Sequence, residues 1–430
     1  MNLNYNIKWQ ELVNKHIAIV KNLLEMTVMK MIVQKFGGSS LTNDQRRNQA
    51  IDKIELAINK GYKPIIVVSA IGRAGDPYAT DTLINLLRSI EPSSRELDML
   101  MSCGEIISAV VMASNLKSRG LEALVLTGGQ AGIVTDDNFL DARILHVNPK
   151  NIIDAIEKGK IPIVCGFQGV TEYGDITTLG RGGSDVTASI IGEAIGAELV
   201  EIYTDVDGVM TADPKIVADA KVMETIFYNE VFQMAEYGAK VLHPRAVEIA
   251  MRSNIPIVIR NANSDFNGTL ITNYDKTRSY REEKEKIITS VAYIGARSQV
   301  KVSPLRPNGQ SQELLFESIA RAKVSIDMIN IYPEQIFFII DGKDEGQLIK
   351  VLNELGCHYN IVSNCTKVTI IGNRMRGIPG VMARAVTALA KEKIEIIQTS
   401  DSHTTISCLI EGKYTDIAVN ALHKHFGLGK

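Results

Sequence analysis

From residue 31 to about residue 273, short apolar runs alternate with stretches of helical periodicity, and this rhythm restricts the fold more than any other feature of the chain. Residues 31–36, 64–69, 121–127, 161–165, 198–204 and 256–260 have the length and side-chain content of buried strands. Helical patterns separate them, clearest at 43–60, 105–119, 148–158, 184–196 and 245–253. Strands followed by helices in this order predict an α/β sandwich built on a largely parallel sheet. Glycines cluster just past strands, at Gly37-Gly38, Gly128-Gly129 and Gly182-Gly183. The carboxyl ends of strands are where open α/β sheets bind ligands.

Composition narrows the class. At roughly 150 residues per domain, 430 residues correspond to two or three domains. A net charge of −2 gives no electrostatic footprint for nucleic acid or an anionic membrane. Five cysteines, Cys103, Cys165, Cys357, Cys365 and Cys408, form no CxxC pair. That usage fits a reducing cytoplasm better than a disulfide framework or a zinc site. In the first thirty residues, Trp9, Leu12, Val13, Ile17, Val20 and Leu24 follow helical spacing. The apolar run 17–20 is too short for a signal-peptide core or a membrane span, so 1–30 is expected to be a helical extension ahead of the first domain.

Residues 274–287 are charged and aperiodic, as a surface linker would be. Beyond them the texture shortens to strand-helix-strand-strand-helix-strand over 299–363, and the pattern restarts at 367. Two βαββαβ units of about 65 residues form a weak internal repeat of ferredoxin-like form. The second runs out of chain before its last strand, which would leave an exposed edge. The unassigned strand 288–294 is expected to return and complete it, interleaving the two units.

Four clusters carry chemistry. Lys35-Phe36-Gly37-Gly38-Ser39-Ser40 follows the first strand, where adjacent glycines let backbone N–H groups approach a phosphate. Neither a GxxxxGK[ST] loop nor a GxGxxG fingerprint occurs. Gly180-Arg181-Gly182-Gly183-Ser184-Asp185 opens a helix; Arg181 suits a carboxylate, and Asp185 either joins the site or simply caps that helix. In 203–215, three aspartates within nine residues suit Mg²⁺-nucleotide handling or, equally, turn formation. Met101-Ser102-Cys103-Gly104-Glu105 is read as the start of a long helix, where Glu105 either meets a ligand ammonium or stabilises the helix N-terminus. Cys357-His358 and Cys365 lack metal spacing, and His403 reads as a turn residue as readily as an effector contact.

Together these clusters, with 237–246 (YGAKVLHPRA), resemble the aspartokinases of the amino-acid kinase family over about 31–430. The resemblance implies a three-layer α/β/α amino-acid kinase sandwich with a mostly parallel sheet at 31–273, followed by ACT domains at 288–365 and 366–430. It implies ATP-dependent phosphorylation of the β-carboxylate of L-aspartate, with ATP and Mg²⁺ as cofactors, at the head of a pathway towards lysine or diaminopimelate, threonine and methionine. It also implies a homodimer or larger homo-oligomer, and feedback by an amino-acid effector, with lysine or diaminopimelate favoured.

By the same resemblance Lys35 and Asp185 are catalytic. Nucleotide contacts fall on Lys35, Gly37, Gly38, Ser39, Thr204, Asp205, Met210, Thr211, Asp213, Pro214, Lys215, Lys240 and Val241. Aspartate contacts fall on Ser69, Glu105, Phe167, Gln168, Arg181, Gly182, Gly183, Ser184 and Asp185. No protein side chain is implied as a metal ligand. Ser39, Met210 and Lys215 stand where threonine, tyrosine and arginine are usual in the family.

The chemistry is consistent with these residue types. A side-chain carboxylate with a pKa of roughly 3.9 is already ionised at neutral pH, so no general base is required. The reaction needs two anions aligned and the charge on the moving phosphoryl group neutralised. Two other readings stand beside this one. A sister kinase would act on N-acetylglutamate or a similar substrate, and a non-catalytic sensor would use only its ACT pair. The effector site is expected where the turn 373–380 offers N–H groups to a carboxylate and Ser400, Asp401 and Ser402 face an ammonium.

Overall fold

The computed structural model describes residues 29–87, 92–239, 242–273, 287–303, 310–372, 375 and 378–429. The N-terminal extension, most of the 274–287 linker, Lys240, Val241 and much of the 373–380 turn therefore lie outside the described residues. The chain divides into two compact units, residues 1–208 with 242–273, and 209–241 with 274–430.

In the first unit the strands lie in the order Thr269–Thr272, Ile257–Asn261, Leu199–Thr204, Met31–Phe36, Lys63–Val68, Ile161–Cys165, Ala123–Leu126. All neighbours are parallel except the edge pair Ile257–Asn261 and Thr269–Thr272. Central strands are buried along their whole length, as a sheet covered on both faces requires. The two-residue alternation of Met31–Phe36 sorts its side chains. Phe36 packs with Ile51 and Ile54 of helix Asp44–Asn59 and Met112 and Leu116 of helix Ser94–Ser118. Gln34, on the same face, donates to the Lys53 carbonyl at 3.3 Å. Lys35 points to the opposite face, where its ammonium meets Asp185 of helix Gly183–Ile195.

Helix Ser94–Ser118 corrects one expectation. Residues 101–105 do not open it: Ser93 caps it by accepting from Glu96 N at 3.4 Å, so Glu105 sits in mid-helix and helix-terminus electrostatics do not apply there. This is the one helix among the described residues long and apolar enough to cross a membrane, but it carries the buried carboxyls Asp98 and Glu105 and packs on the sheet. The hairpin Gln168–Thr171 and Ile176–Thr178 belongs to a separate four-stranded sheet with Ile133–Thr135 and Ile144–Val147.

The second unit is organised by two long strands, Ile288–Val302 and Tyr359–Gly372, paired antiparallel from Ile288↔Gly372 to Val302↔Tyr359. Each spans what reads in sequence as two separate strands. Register shifts between Ile294 and Gln299 divide the first, where Ala296 adopts φ +53°, and Asn364 has φ +55° in the facing strand. Val300 and Val302 enter a core with Leu315, Phe338 and Leu352. Ile288 and Val291 enter another with Val368, Ile370, Leu389 and Leu422. The half-strand 288–294 therefore lies against 367–372 in the sheet that also holds Thr405–Glu411 and Gln398–Asp401.

Segment 209–222 also belongs to this second core. Ala212, Val217 and Ala220 are buried in it, Thr211 O accepts from Val291 N at 2.9 Å, and Thr211 Oγ1 lies 2.9 Å from His423 Nε2. His423 is fully buried in helix Thr415–His425, its Nδ1 lying 3.6 Å from Asp219 Oδ1. Burial pushes its imidazole below the ordinary value against the pull of the Asp219 carboxylate, and Lys221 adds to the lowering. An unfolded chain takes up that proton near pH 6.5, whereas the folded one resists it. Stability contributed at this site is therefore complete above pH 6.5 and falls as the pH drops through it. We expect thermal unfolding to show a smaller loss between pH 7.5 and 5.5 in His423→Gln than in wild type. An identical loss in both would remove His423 from the pH response.

Candidate active site

The first unit holds a cleft of about 550 Å³ at the carboxyl ends of its central strands. Lys35, Gly38, Ser69, Glu105, Phe167 and residues 180–185 all line it. Lys35 Nζ lies 2.6 Å from Asp185 Oδ1, with both side chains mostly buried (11% and 14% exposed). The Asp185 side chain therefore does not cap its helix; Gly182 holds the cap position in a left-handed conformation instead, at φ +69°.

After Lys35 the chain turns tightly. Gly37 N donates to Tyr203 O at 3.1 Å, and Gly38–Ser40 forms a single 3₁₀ turn. Glycine is required at 38, since a Cβ there would stand 2.3 Å from Ala70 O and 2.5 Å from Gly72 O. Ser69 N donates to Phe36 O at 3.1 Å, so the exits of the first and second strands are locked side by side.

Glu105 reaches the cleft from the long helix and is 3% exposed. Its Oε1 accepts from Ala70 N at 2.9 Å, while Oε2 is buried without a hydrogen-bond partner. Burial pushes its carboxyl up to about 8, against the smaller opposing effect of the Ala70 N–H. A carboxyl held this way ionises when a cation arrives to pair with it. Cys165, buried behind it, has its thiol pushed up to about 12 by burial and by Glu105, which makes it inert as a nucleophile.

Phe167 adopts φ +69° and its ring packs against Gly183, where a Cβ would approach to 2.7 Å. Gln168 does not line the cleft: its amide is spent on Gly128 N at 3.3 Å and Ser102 O at 3.2 Å. Thr204 and Asp205 follow strand Leu199–Thr204, with Thr204 Oγ1 donating to Asp205 Oδ1 at 3.1 Å. Partial burial by itself would raise the Asp205 carboxyl, but hydrogen bonds led by that from Arg73 hold it below its ordinary value. Met210, Thr211, Asp213, Pro214 and Lys215 belong to the second unit, where Asp213 Oδ1 accepts from Lys215 N at 2.9 Å.

Asp98 belongs to none of the four sequence clusters, yet it supports the site. It is fully buried, accepts from Thr178 N and Oγ1 at 2.9 and 2.6 Å, and from Leu140 N at 3.1 Å. Leu140, at φ +73°, is thereby held at the wall of the cleft. The signal lies in the helix period, because Asp98 stands seven residues before Glu105 and shares its face.

Known proteins share this architecture. A family model described as the amino acid kinase family matches residues 30–261, and an ACT domain model matches 360–424. The chain is 43% identical over 404 residues to aspartokinase 1 of Bacillus subtilis, covering 94% of this chain and 100% of that one. Among solved structures it resembles Escherichia coli aspartokinase III in complex with aspartate and ADP (R-state), with TM-score 0.76, 24% identity and coverage of 92% and 99% of the two chains. The same enzyme in complex with lysine and aspartate (T-state) matches with TM-score 0.72, 25% identity and the same coverage. With a matched catalytic domain, a matched ACT domain and a relative spanned over its full length, this chain belongs to the amino acid kinase family and, within it, to the aspartokinases with C-terminal ACT domains.

Proposed function

We propose that the chain phosphorylates the β-carboxylate of L-aspartate with ATP, giving 4-phospho-L-aspartate and ADP. The observation that carries this reading is one cleft lined by Lys35, Glu105, Arg181 and Asp185. Glu105 takes the substrate ammonium and Arg181 its α-carboxylate, with Ser69, Phe167, Gly182, Gly183 and Ser184 shaping the pocket. The β-carboxylate then attacks the γ-phosphorus in line as the bond to the bridging β,γ-oxygen breaks, and ADP leaves with the electron pair. Lys35 and the N–H groups of Gly38 and Ser39 balance charge on the moving group, Gly37 shapes the turn with its own N–H on Tyr203 O, and Asp185 positions the Lys35 ammonium. Thr204, Asp205, residues 210–215, Lys240 and Val241 are assigned to nucleotide. Bound with the triphosphate, Mg²⁺ would supply further charge neutralisation. A single carboxylate, Asp205, would hold an ion that keeps water and phosphate as most of its ligands.

The same reading covers regulation. Residues 288–365 and 366–430 serve as ACT domains that take an amino-acid effector, with lysine or diaminopimelate favoured; the lysine complex named for the Escherichia coli relative supports this. A homodimer and a cytoplasmic location complete it, the latter supported by five unpaired thiols.

The test is an ADP-release assay on purified protein with L-aspartate and with N-acetylglutamate, repeated with lysine, diaminopimelate and threonine added. Turnover with aspartate alone, inhibited by one of the basic effectors, is the expected result. Turnover with N-acetylglutamate but not aspartate would replace the substrate assignment, and indifference to every effector would leave the ACT domains as a dimer clamp.

A further inference from the structure

We propose that Arg73 is a phosphate-binding residue of this reaction, held on Asp205 until nucleotide enters and then transferred to the γ-phosphate; this rests on the kinase reading above. The loop after strand Lys63–Val68 runs against the phosphate loop, with Gly72 N donating to Gly38 O at 3.1 Å. Asp76 fixes the backbone of Arg73 from both sides: its Oδ2 accepts from Arg73 N, and its N donates to Arg73 O, both at 2.8 Å. The loop is thus rigid at this point, and the guanidinium is its movable part.

That guanidinium pairs with Asp205 Oδ2 at 2.5 Å. Strands Lys63–Val68 and Leu199–Thr204 flank Met31–Phe36 on its two sides. A bridge from the loop after one flanking strand to the residue after the other must span the mouth of the middle strand. Gly37 and Gly38 lie at that mouth, where the phosphates are assigned.

Charge accounting points the same way. Among the residues lining the cleft, the cations are Lys35, Arg73 and Arg181. Lys35 is already paired with Asp185, and Arg181 is assigned to the substrate α-carboxylate. A triphosphate and a carboxylate brought together carry more negative charge than Mg²⁺ and Lys35 offset, and of the side-chain cations lining the cleft Arg73 is the one whose present partner holds it weakly. The Arg73 and Asp205 side chains are 64% and 48% exposed, and surface pairs of this kind are readily exchanged for a better anion. A guanidinium presents parallel N–H donors that match phosphate oxygens, a geometry lysine lacks.

The experiment measures calorimetric binding of Mg²⁺-ADP and of the Mg²⁺ complex of a β,γ-imido ATP analogue to the full chain, alongside kcat for aspartate phosphorylation. In Arg73→Ala, affinity for the analogue should fall by about tenfold or more while affinity for ADP changes by less than about threefold, and kcat should fall with it. Arg73→Lys, which keeps the charge but not the fork, should lie between. A merely structural role would weaken both nucleotides alike, and that result overturns the proposal, as does wild-type affinity and kcat in both variants. The exposed position of Arg73 leaves folding intact in both, which a thermal melt checks. A wild-type chain that binds neither nucleotide overturns the kinase reading, and this proposal with it.

Discussion

Lys35→Ala should lower kcat by on the order of 10³ or more while leaving the KM for aspartate near its wild-type value. Lys35 is the penultimate residue of a strand buried between helices and projects into the cleft, so its charge acts where water cannot substitute for it. The ammonium is held 2.6 Å from Asp185 before any ligand arrives, and no reorganisation is needed as negative charge builds on the phosphoryl group. Substrate binding is assigned to Glu105 and Arg181, which explains the expected split between kcat and KM. Removing Lys35 strands the mostly buried Asp185 carboxylate at a cost of about 3–5 kcal/mol, still below most of the typical stability range of about 5–15 kcal/mol. The variant should therefore fold, and circular dichroism checks this. Near-normal kcat in a folded Lys35→Ala chain would show that the phosphoryl group is transferred somewhere else.

Glu105→Ala should raise the KM for aspartate by about a hundredfold, since it removes the buried partner of a charged group. The pH dependence offers a sharper test. With its carboxyl pushed up to about 8 by burial, Glu105 is mostly protonated at neutral pH before substrate binds. An incoming ammonium needs the ionised form, so only that fraction is competent and the apparent affinity is reduced in proportion. The KM for aspartate should accordingly fall by roughly an order of magnitude between pH 7 and pH 9, with the proton released on binding. Glu105→Gln should abolish that fall. A flat KM across this range in the wild type would mean that the ammonium is received by another group.

Much of the first unit is legible in the order of its residues. Its strands at 31–36 and 161–165 run where the apolar runs place them, and helix Asp44–Asn59 lies within the expected 43–60. Buried parallel strands are apolar on both faces, so they stand out in sequence without any partner being known. The start of the long helix is harder to place, because its apolar part is its middle and the periodicity is clearest there. Its start signal is Ser93 with Glu96, a cap three residues ahead of an acid. In the second unit, strands expected at 359–363 and 367–371 are one strand, Tyr359–Gly372. A left-handed Asn364 inside a bulge reads locally as a loop.

By itself the sequence determined the class of fold, the alternation that turns Lys35 away from Phe36, and the glycine turn beside it, because these depend on residue type and on neighbours only a few positions away. Only the tertiary structure decided which strands lie side by side, and hence that Arg73 and Asp205 meet across the phosphate loop. It alone showed that the unpaired Oε2 of Glu105 is buried and that Gln168 is occupied elsewhere. It also placed segment 209–222, whose Thr211 and Asp213 read as nucleotide contacts, in the second unit, with Ala212, Val217 and Ala220 in its core and Thr211 on His423. Contacts of this kind join residues far apart in the chain. Their energy lies in burial and charge pairing that exist only once the units have closed, so no local pattern carries them.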